Sequence, residues 1–270
     1  MRTQADKCKT FLTLHHGDAP LLLPNAWDRG TAKLFAFLGF SAVATTSAGH
    51  AAALGRLDGS VTIDEILEHA AALADTTDLP VNVDFENGFA DDPGGVAANI
   101  SRLAATGVAG CSVEDFTRRP DDPIYETSFA AARVEAAAQA AHEGGSRLVL
   151  TARAENHLHG RADLGDTVAR LQAYQAAGAD VLYAPGLHDL DDIRTVVSSV
   201  DLPVNVLALP NVPPVSELAA AGVRRVSVGS GFNRVALGAT VDAARELLDE
   251  GTYGFWRVAA SAAPARDAFR

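Results

Sequence analysis

Short apolar runs alternate along the chain with longer amphipathic stretches, and glycines mark the passages between them. Leu21-Leu22-Leu23-Pro24-Asn25-Ala26-Trp27-Asp28 reads as a buried strand running into a loop, and Thr31 to Phe37 as a helix that stops at Gly39. Phe40 to Gly49 is then a strand that ends in small residues. The order of helix, glycine, one apolar residue and strand recurs at 104–114, 176–183 and 220–228. Each glycine suits the left-handed cap of a helix that must turn back into a strand. Further strands are expected at Val81 to Glu86, Arg147 to Ala152 and Val204 to Leu207. Counting starts at Leu21, Ala42, Val81, Gly110, Arg147, Val181, Val204 and Arg225 gives eight strands alternating with helices. That pattern predicts a (β/α)8 TIM barrel forming a single domain across 1–270, since such barrels take about 250 residues. A doubly wound open sheet fits less well, because the first strand-to-helix turn carries no G-x-G-x-x-G. A last helix is expected over Thr240 to Glu250, followed by a frayed tail after Pro264.

Composition narrows the partners. A net charge of -12 and a pI near 5.0 argue against nucleic acid and anionic membrane, which both call for a basic face. No apolar run reaches the roughly 18 residues of a membrane span, and no signal core opens the chain, so a cytoplasmic enzyme is expected. The cysteines, Cys8 and Cys111, are too few for a disulfide framework. Cys111 reads as a small core residue and Cys8 as an incidental residue of a polar leader.

The candidate chemistry lies at strand ends, where barrel enzymes keep it. If Val81, Val83 and Phe85 face the helices, Asn82, Asp84 and Glu86 share the opposite side. The same parity turns Ser112, Glu114 and Arg153 inward and Asp115 outward. Three inward carboxylates on neighbouring strands call for a cation, and oxygen ligands favour Mg²⁺ or Mn²⁺ over zinc. Because Mg²⁺ keeps several waters, part of the set should reach it through water. Arg153 supplies a bidentate clamp for a carboxylate or phosphonate, or else an ion pair with Glu155 or Glu114. A purely structural alternative has Asp84 capping the following turn and Glu86 solvated.

The motifs Thr46-Ser47-Ala48-Gly49, Asp58, Asp84-Phe85-Glu86-Asn87-Gly88-Phe89, Ser112-Val113-Glu114-Asp115 and Thr151-Ala152-Arg153-Ala154-Glu155 stand in one order. In order and spacing they resemble the isocitrate lyase / phosphoenolpyruvate mutase superfamily, over Leu23 to about Phe255. The resemblance implies a phosphoenolpyruvate mutase-like barrel with a Mg²⁺ site for small 2-oxo acids. It also implies a homotetramer, a dimer of dimers, with helices from about 240 used in subunit contacts. Asp84 then resembles the direct metal ligand, and Asp58, Glu86 and Glu114 the carboxylates that hold its waters, with Asp58, Glu114 and Arg153 as catalytic groups. Ser47, Ala48 and Gly49 resemble the loop that receives the substrate anion, Arg153 its clamp and Asn205 a polar substrate contact. His157 is a further candidate contact. Stabilising a pyruvate enolate beside a metal favours breaking the adjacent bond, C–C in a lyase or decarboxylase, P–C in a phosphonomutase or phosphonopyruvate hydrolase. A lyase is the first reading, with those phosphonate enzymes and a non-catalytic metabolite-binding barrel as alternatives.

The chain departs from the isocitrate and methylisocitrate lyases at 116–125, which carries no cysteine where those enzymes have a Lys-[Lys/Arg]-Cys-Gly-His signature. Residues 116–128 could form a gate closed by Arg118, Arg119 or Tyr125, or a surface loop with solvated charges. Trp27 is expected to pack, His159 to lie on a surface loop, and His15-His16 to lack a third metal partner. Asp189, Asp191 and Asp192 suit a helix N-terminus.

Overall fold

The computed structural model describes residues 2–259 and 262–270. Its strands are β1 (Leu21–Leu23), β2 (Asn25–Ala26), β3 (Val43–Thr45), β4 (Val81–Asp84), β5 (Gly110–Glu114), β6 (Val149–Arg153), β7 (Val181–Tyr183), β8 (Val204–Leu207) and β9 (Arg225–Ser227). All pair in parallel, in the order β1-β9-β8-β7-β6-β5-β4-β3-β2. The additional strand is the expected first one broken at Pro24, which has no N–H to donate to a ladder. The Pro24 carbonyl still accepts the Ala44 N–H at 2.8 Å. Because β1 pairs β9 while β2 pairs β3, this broken strand closes the sheet into the expected barrel.

Helices follow the strands, and their first turns are fixed by the residues that precede them. Asp28, Thr62, Asp92, Asp163 and Asp189 each accept backbone N–H groups at a helix start, as anticipated for Asp189. Two of the predicted glycine stops, Gly107 at φ 88° and Gly178 at φ 96°, hold a conformation that other residues adopt at a cost. Strand parity divides the core cleanly. Val83, Cys111, Val113, Leu150, Ala152 and Leu182 are buried outside the barrel against helices. The inward row is polar: Asn82, Ser112, Thr151, Asn205, Arg225 and Ser227 are all buried. Branched apolar side chains usually fill such a barrel.

Two expectations for the chain ends are corrected. The polar leader is a helix, α1 (Gln4–Leu14), that crosses the underside of the barrel, so Cys8 is a core residue. Lys7 donates from that helix to the carbonyls of Ala74 and Thr77, and Phe11 sits fully buried below β5. Gly110 makes room for it, since a Cβ there would lie 2.9 Å from the Phe11 ring. The tail beyond Pro264 is helical over Ala263–Ala268, and Phe269 packs beside Gly30. The expected helix at 240–250 begins earlier, over Gly231–Arg245, and continues as a wider turn through Glu246–Glu250. Val235, Leu237, Val241 and Leu248 on it are exposed. Among the described residues, no helix is long and apolar enough to cross a membrane.

Candidate active site

The strand ends converge on Arg153, at the last position of β6. Its guanidinium donates to Asp84 at 2.7 Å and to Glu155 at 2.8 Å, and lies 3.1 Å from Glu114. All four side chains are largely buried. Burial alone would weaken the Arg153 charge, yet Glu155, Glu114 and Asp84 together hold its pKa well above the ordinary value. Burial in turn raises Glu114 well above a normal carboxylate, with Arg153 opposing, and raises Glu155 in the same way.

Asp84 is held from both sides. Its second oxygen accepts the Ser47 N–H at 3.1 Å, while its own N–H donates to Thr45 Oγ1 at 2.9 Å. The run expected to be a loop at 46–49 is instead the start of a short helix, Ser47–Ala53, with Thr46 as its cap. Gly49 gives its N–H to Thr46 Oγ1 and packs tightly behind the wall, where a Cβ would lie 2.6 Å from Thr46 Cγ2. Ser47 and Ala48 face the opening; Gly49 does not.

Two adjoining cavities open here. One, of about 160 Å³, runs from Ser47, Asp58, Asp84 and Arg153 at the rim down to Asn205, Tyr183 and Arg225. The other, of about 450 Å³, is lined by Asp58, Glu86, Glu114, Arg118, Arg153 and Glu155 among others. The three acids assigned by parity, and Asp58 from the resemblance, therefore divide between the two. Asp84 faces the first cavity, Glu86 and Glu114 the second, and Asp58 both. The reason lies in the backbone. The strand ends at Asp84, and Glu86 turns to φ 47°, which takes it off the strand's alternation.

Glu86 meets a cation of its own: Arg118, at φ 63°, ion-pairs with it and stacks over Phe89 with 5.5 Å to the ring centre. Burial lifts Glu86 to a pKa of about 7 despite that partner, and its other oxygen, Oε1, is buried with no protein hydrogen bond. Of the other gate candidates, Arg119 pairs at the surface with Asp122 at 3.6 Å. Tyr125 is buried, bonded to Asp91 and covered by Arg133. Thus Arg153 and Arg118 counter the inward acids in part, and the carboxylates outnumber these two cations. Among the described residues, no three His, Cys, Asp or Glu side chains form a ready-made cage. A water-rich Mg²⁺ held by one carboxylate and by waters on its neighbours still fits this donor set, and the unpaired Glu86 Oε1 is an acceptor such a water could fill.

The remaining candidates are placed as follows. Asn205 lines the smaller cavity, with its amide committed to Ser227 at 2.9 Å and to Arg225 at 2.9 Å. His157 lines neither cavity and lies beside Gly186 with a buried, unpaired Nε2; Leu158 and His159 reach the openings instead. Asp115 points outward as expected, bound by Tyr174 at 2.5 Å and Arg170 at 3.1 Å. His15 belongs to the barrel floor: its Nδ1 faces the Phe11 carbonyl at 2.7 Å and its Nε2 faces Arg225 at 3.2 Å. Three residues escaped the reading of the sequence. Tyr183 and Arg225 line the smaller cavity, and buried Arg133 binds the carbonyls of Asn87, Ala90, Asp91 and Glu114. Inward parity on β7 and β9 would have found the first two; nothing in the local sequence marks Arg133.

A parallel barrel with an acid-lined rim around a buried arginine is an enzyme architecture. The family model described as phosphoenolpyruvate phosphomutase matches residues 11–248, and the chain belongs to that family, within the isocitrate lyase / phosphoenolpyruvate mutase superfamily. It superposes on the crystal structure of a provisionally assigned lyase/mutase from Burkholderia cenocepacia J2315 with a TM-score of 0.94. The two are 47% identical, over 99% of this chain and 95% of that one. An uncharacterized protein of Mycobacterium tuberculosis (strain CDC 1551 / Oshkosh) is 34% identical over 242 residues, 89% of each chain. Oxaloacetate decarboxylase 2 of Pseudomonas fluorescens (strain Pf0-1) is 29% identical over 259 residues, 94% of this chain and 88% of that one.

Proposed function

We propose that the protein is a Mg²⁺-dependent lyase that cleaves a C–C bond of a small 2-oxo or 2-hydroxy acid to leave a pyruvate-type enolate. The observation that carries this reading is Asp84, held between the Arg153 guanidinium and the Ser47 N–H at the mouth of a cavity sized for a small acid. Asp84 would bind the metal directly, while Asp58, Glu86 and Glu114 would hold its waters. When bound, Mg²⁺ supplies the Lewis-acid field that favours an enolate over the intact substrate. Arg153, with Ser47 and Ala48 on the cavity wall, would orient the substrate carboxylate, and the gate at 116–128, whose Arg118 pairs with Glu86, would close over the rim. The similarity to an oxaloacetate decarboxylase supports placing 2-oxo diacids first among the substrates. The exposed apolar residues on 231–248 support a homo-oligomer, and the absence of a spanning helix among the described residues is compatible with a cytoplasmic enzyme.

The test is pyruvate or glyoxylate release from a panel of 2-oxo and 2-hydroxy diacids, with phosphonopyruvate included, with and without Mg²⁺. Metal-dependent pyruvate from a diacid is expected. Phosphate from phosphonopyruvate with no diacid cleaved would favour the phosphonate chemistry, and no turnover at all would sink the enzymatic reading. Asp84→Ala should lose Mg²⁺ affinity measured by calorimetry while keeping its circular dichroism spectrum.

A further inference from the structure

Cleavage to an enolate leaves one task open, because some group must return a proton to carbon. Among the described residues, no cysteine and no histidine lines the smaller cavity. Asp84 is engaged by Arg153 and Ser47, and Asp58 sits exposed at the mouth. Glu114 and Glu155 line the neighbouring cavity. Among the described residues lining the smaller cavity, Tyr183 is the one phenol, at the end of β7 and 7% exposed.

Burial keeps this phenol protonated, and groups beside it oppose that effect by favouring its anion. The Arg153 guanidinium lies 5.3 Å from the ring centre, and both it and the Ser227 hydroxyl favour charge on the phenol oxygen. Ser227 is itself held by the Asn205 amide, whose oxygen takes the Arg225 Nε–H at 2.9 Å. Arg225 is buried, and all of its hydrogen-bond partners are neutral: Asn205, Thr151 at 3.1 Å and His15 at 3.2 Å. Tyr183 therefore lies in the field of two cations, one of which no carboxylate offsets by hydrogen bonding. Asp84 and Glu155 act against ionisation from the rim side.

We propose that Tyr183 is the acid that protonates the methylene carbon of the pyruvate enolate, an assignment that rests on the lyase reading above. The phenol O–H bond breaks, and the enolate C=C pair forms a C–H bond with that proton. The negative charge passes to the phenolate between Arg153 and Arg225, which recovers a proton from water. Burial holds the phenol protonated, with a pKa pushed up to about 12, so the donor is charged with its proton at neutral pH.

The experiment follows the exchange of pyruvate methyl protons for deuterium by proton NMR in D₂O with Mg²⁺, alongside diacid cleavage. Oxalate affinity, measured by calorimetry, serves as the check on the folded site. Wild type should cleave and exchange. Tyr183→Phe should exchange pyruvate at least ~10²-fold more slowly, and release pyruvate from diacid more slowly, while binding oxalate as wild type does. Equal exchange by wild type and Tyr183→Phe overturns the assignment alone. A wild-type enzyme that neither cleaves nor exchanges overturns the lyase reading and this assignment with it. Should Tyr183→Phe lose oxalate affinity, Ser227→Ala decides. That variant leaves the phenol but removes a hydroxyl that favours its anion, so exchange should slow about tenfold, and unchanged exchange refutes the role.

Discussion

Arg153 and Arg225 both point into one barrel interior, the first largely and the second fully buried, and they experience opposite surroundings. At the rim, Arg153 is ringed by Asp84, Glu114 and Glu155, which hold its charge in place. On the floor, Arg225 meets only neutral acceptors, and desolvation lowers it to a pKa of about 9. An arginine among acids is a structural clamp that a ligand must compete for. An arginine among neutral groups still has field to spend on whatever charge develops nearby. Residue type alone predicts neither role; the partners decide.

The sharpest way to break that contrast is Arg153→Met, which leaves three buried carboxylates without their cation. Urea unfolding should show a loss of about 3–5 kcal/mol, the usual cost of removing one partner from a buried pair, with activity abolished. Arg225→Met should cost less, about 1–3 kcal/mol in the same assay, because it orphans hydrogen-bond acceptors rather than charges. A larger loss at Arg225 than at Arg153 would invert the comparison.

The third prediction reads the floor through pH. Burial first, and then Arg225, depress His15 to a pKa of about 3 from the ordinary histidine value of 6.5. Between those values the unfolded chain binds a proton that the folded protein refuses, so stability falls as pH falls through that window. From pH 7 to pH 5 the contribution is about 2 kcal/mol, obtained from denaturant midpoints at the two pH values. His15→Gln should flatten that part of the profile, and an unchanged slope would show that other groups dominate the acid sensitivity.

Much of this was legible before any coordinates, for a physical reason. Side chains alternate on a strand, so Asp84, Glu114 and Arg153 could be assigned to the inward face from apolar neighbours alone, and the structure brings them together. The rule failed one step past the strand, at Glu86, where a left-handed turn breaks the alternation. It also went unused at Tyr183 and Arg225, where attention to charged strand ends passed over a phenol and a mid-strand cation. The closed barrel was readable from repeated glycine stops, but the helix at the N-terminus was not. Its moderately polar sequence hides the buried face formed by Lys7, Cys8 and Phe11, which exists only because the barrel underside receives it. Arg133 shows the remaining limit. It satisfies loop carbonyls brought together by the fold, and backbone groups carry no mark in a sequence.

That N-terminal helix has a consequence for traffic. With Phe11 wedged beneath Gly110 and His15 joined to Arg225, the base of the barrel is stoppered, and both cavities described above open at the strand-end rim. Any small molecule that reaches the floor must therefore enter and leave past the rim residues, Asp84 and Arg153 among them.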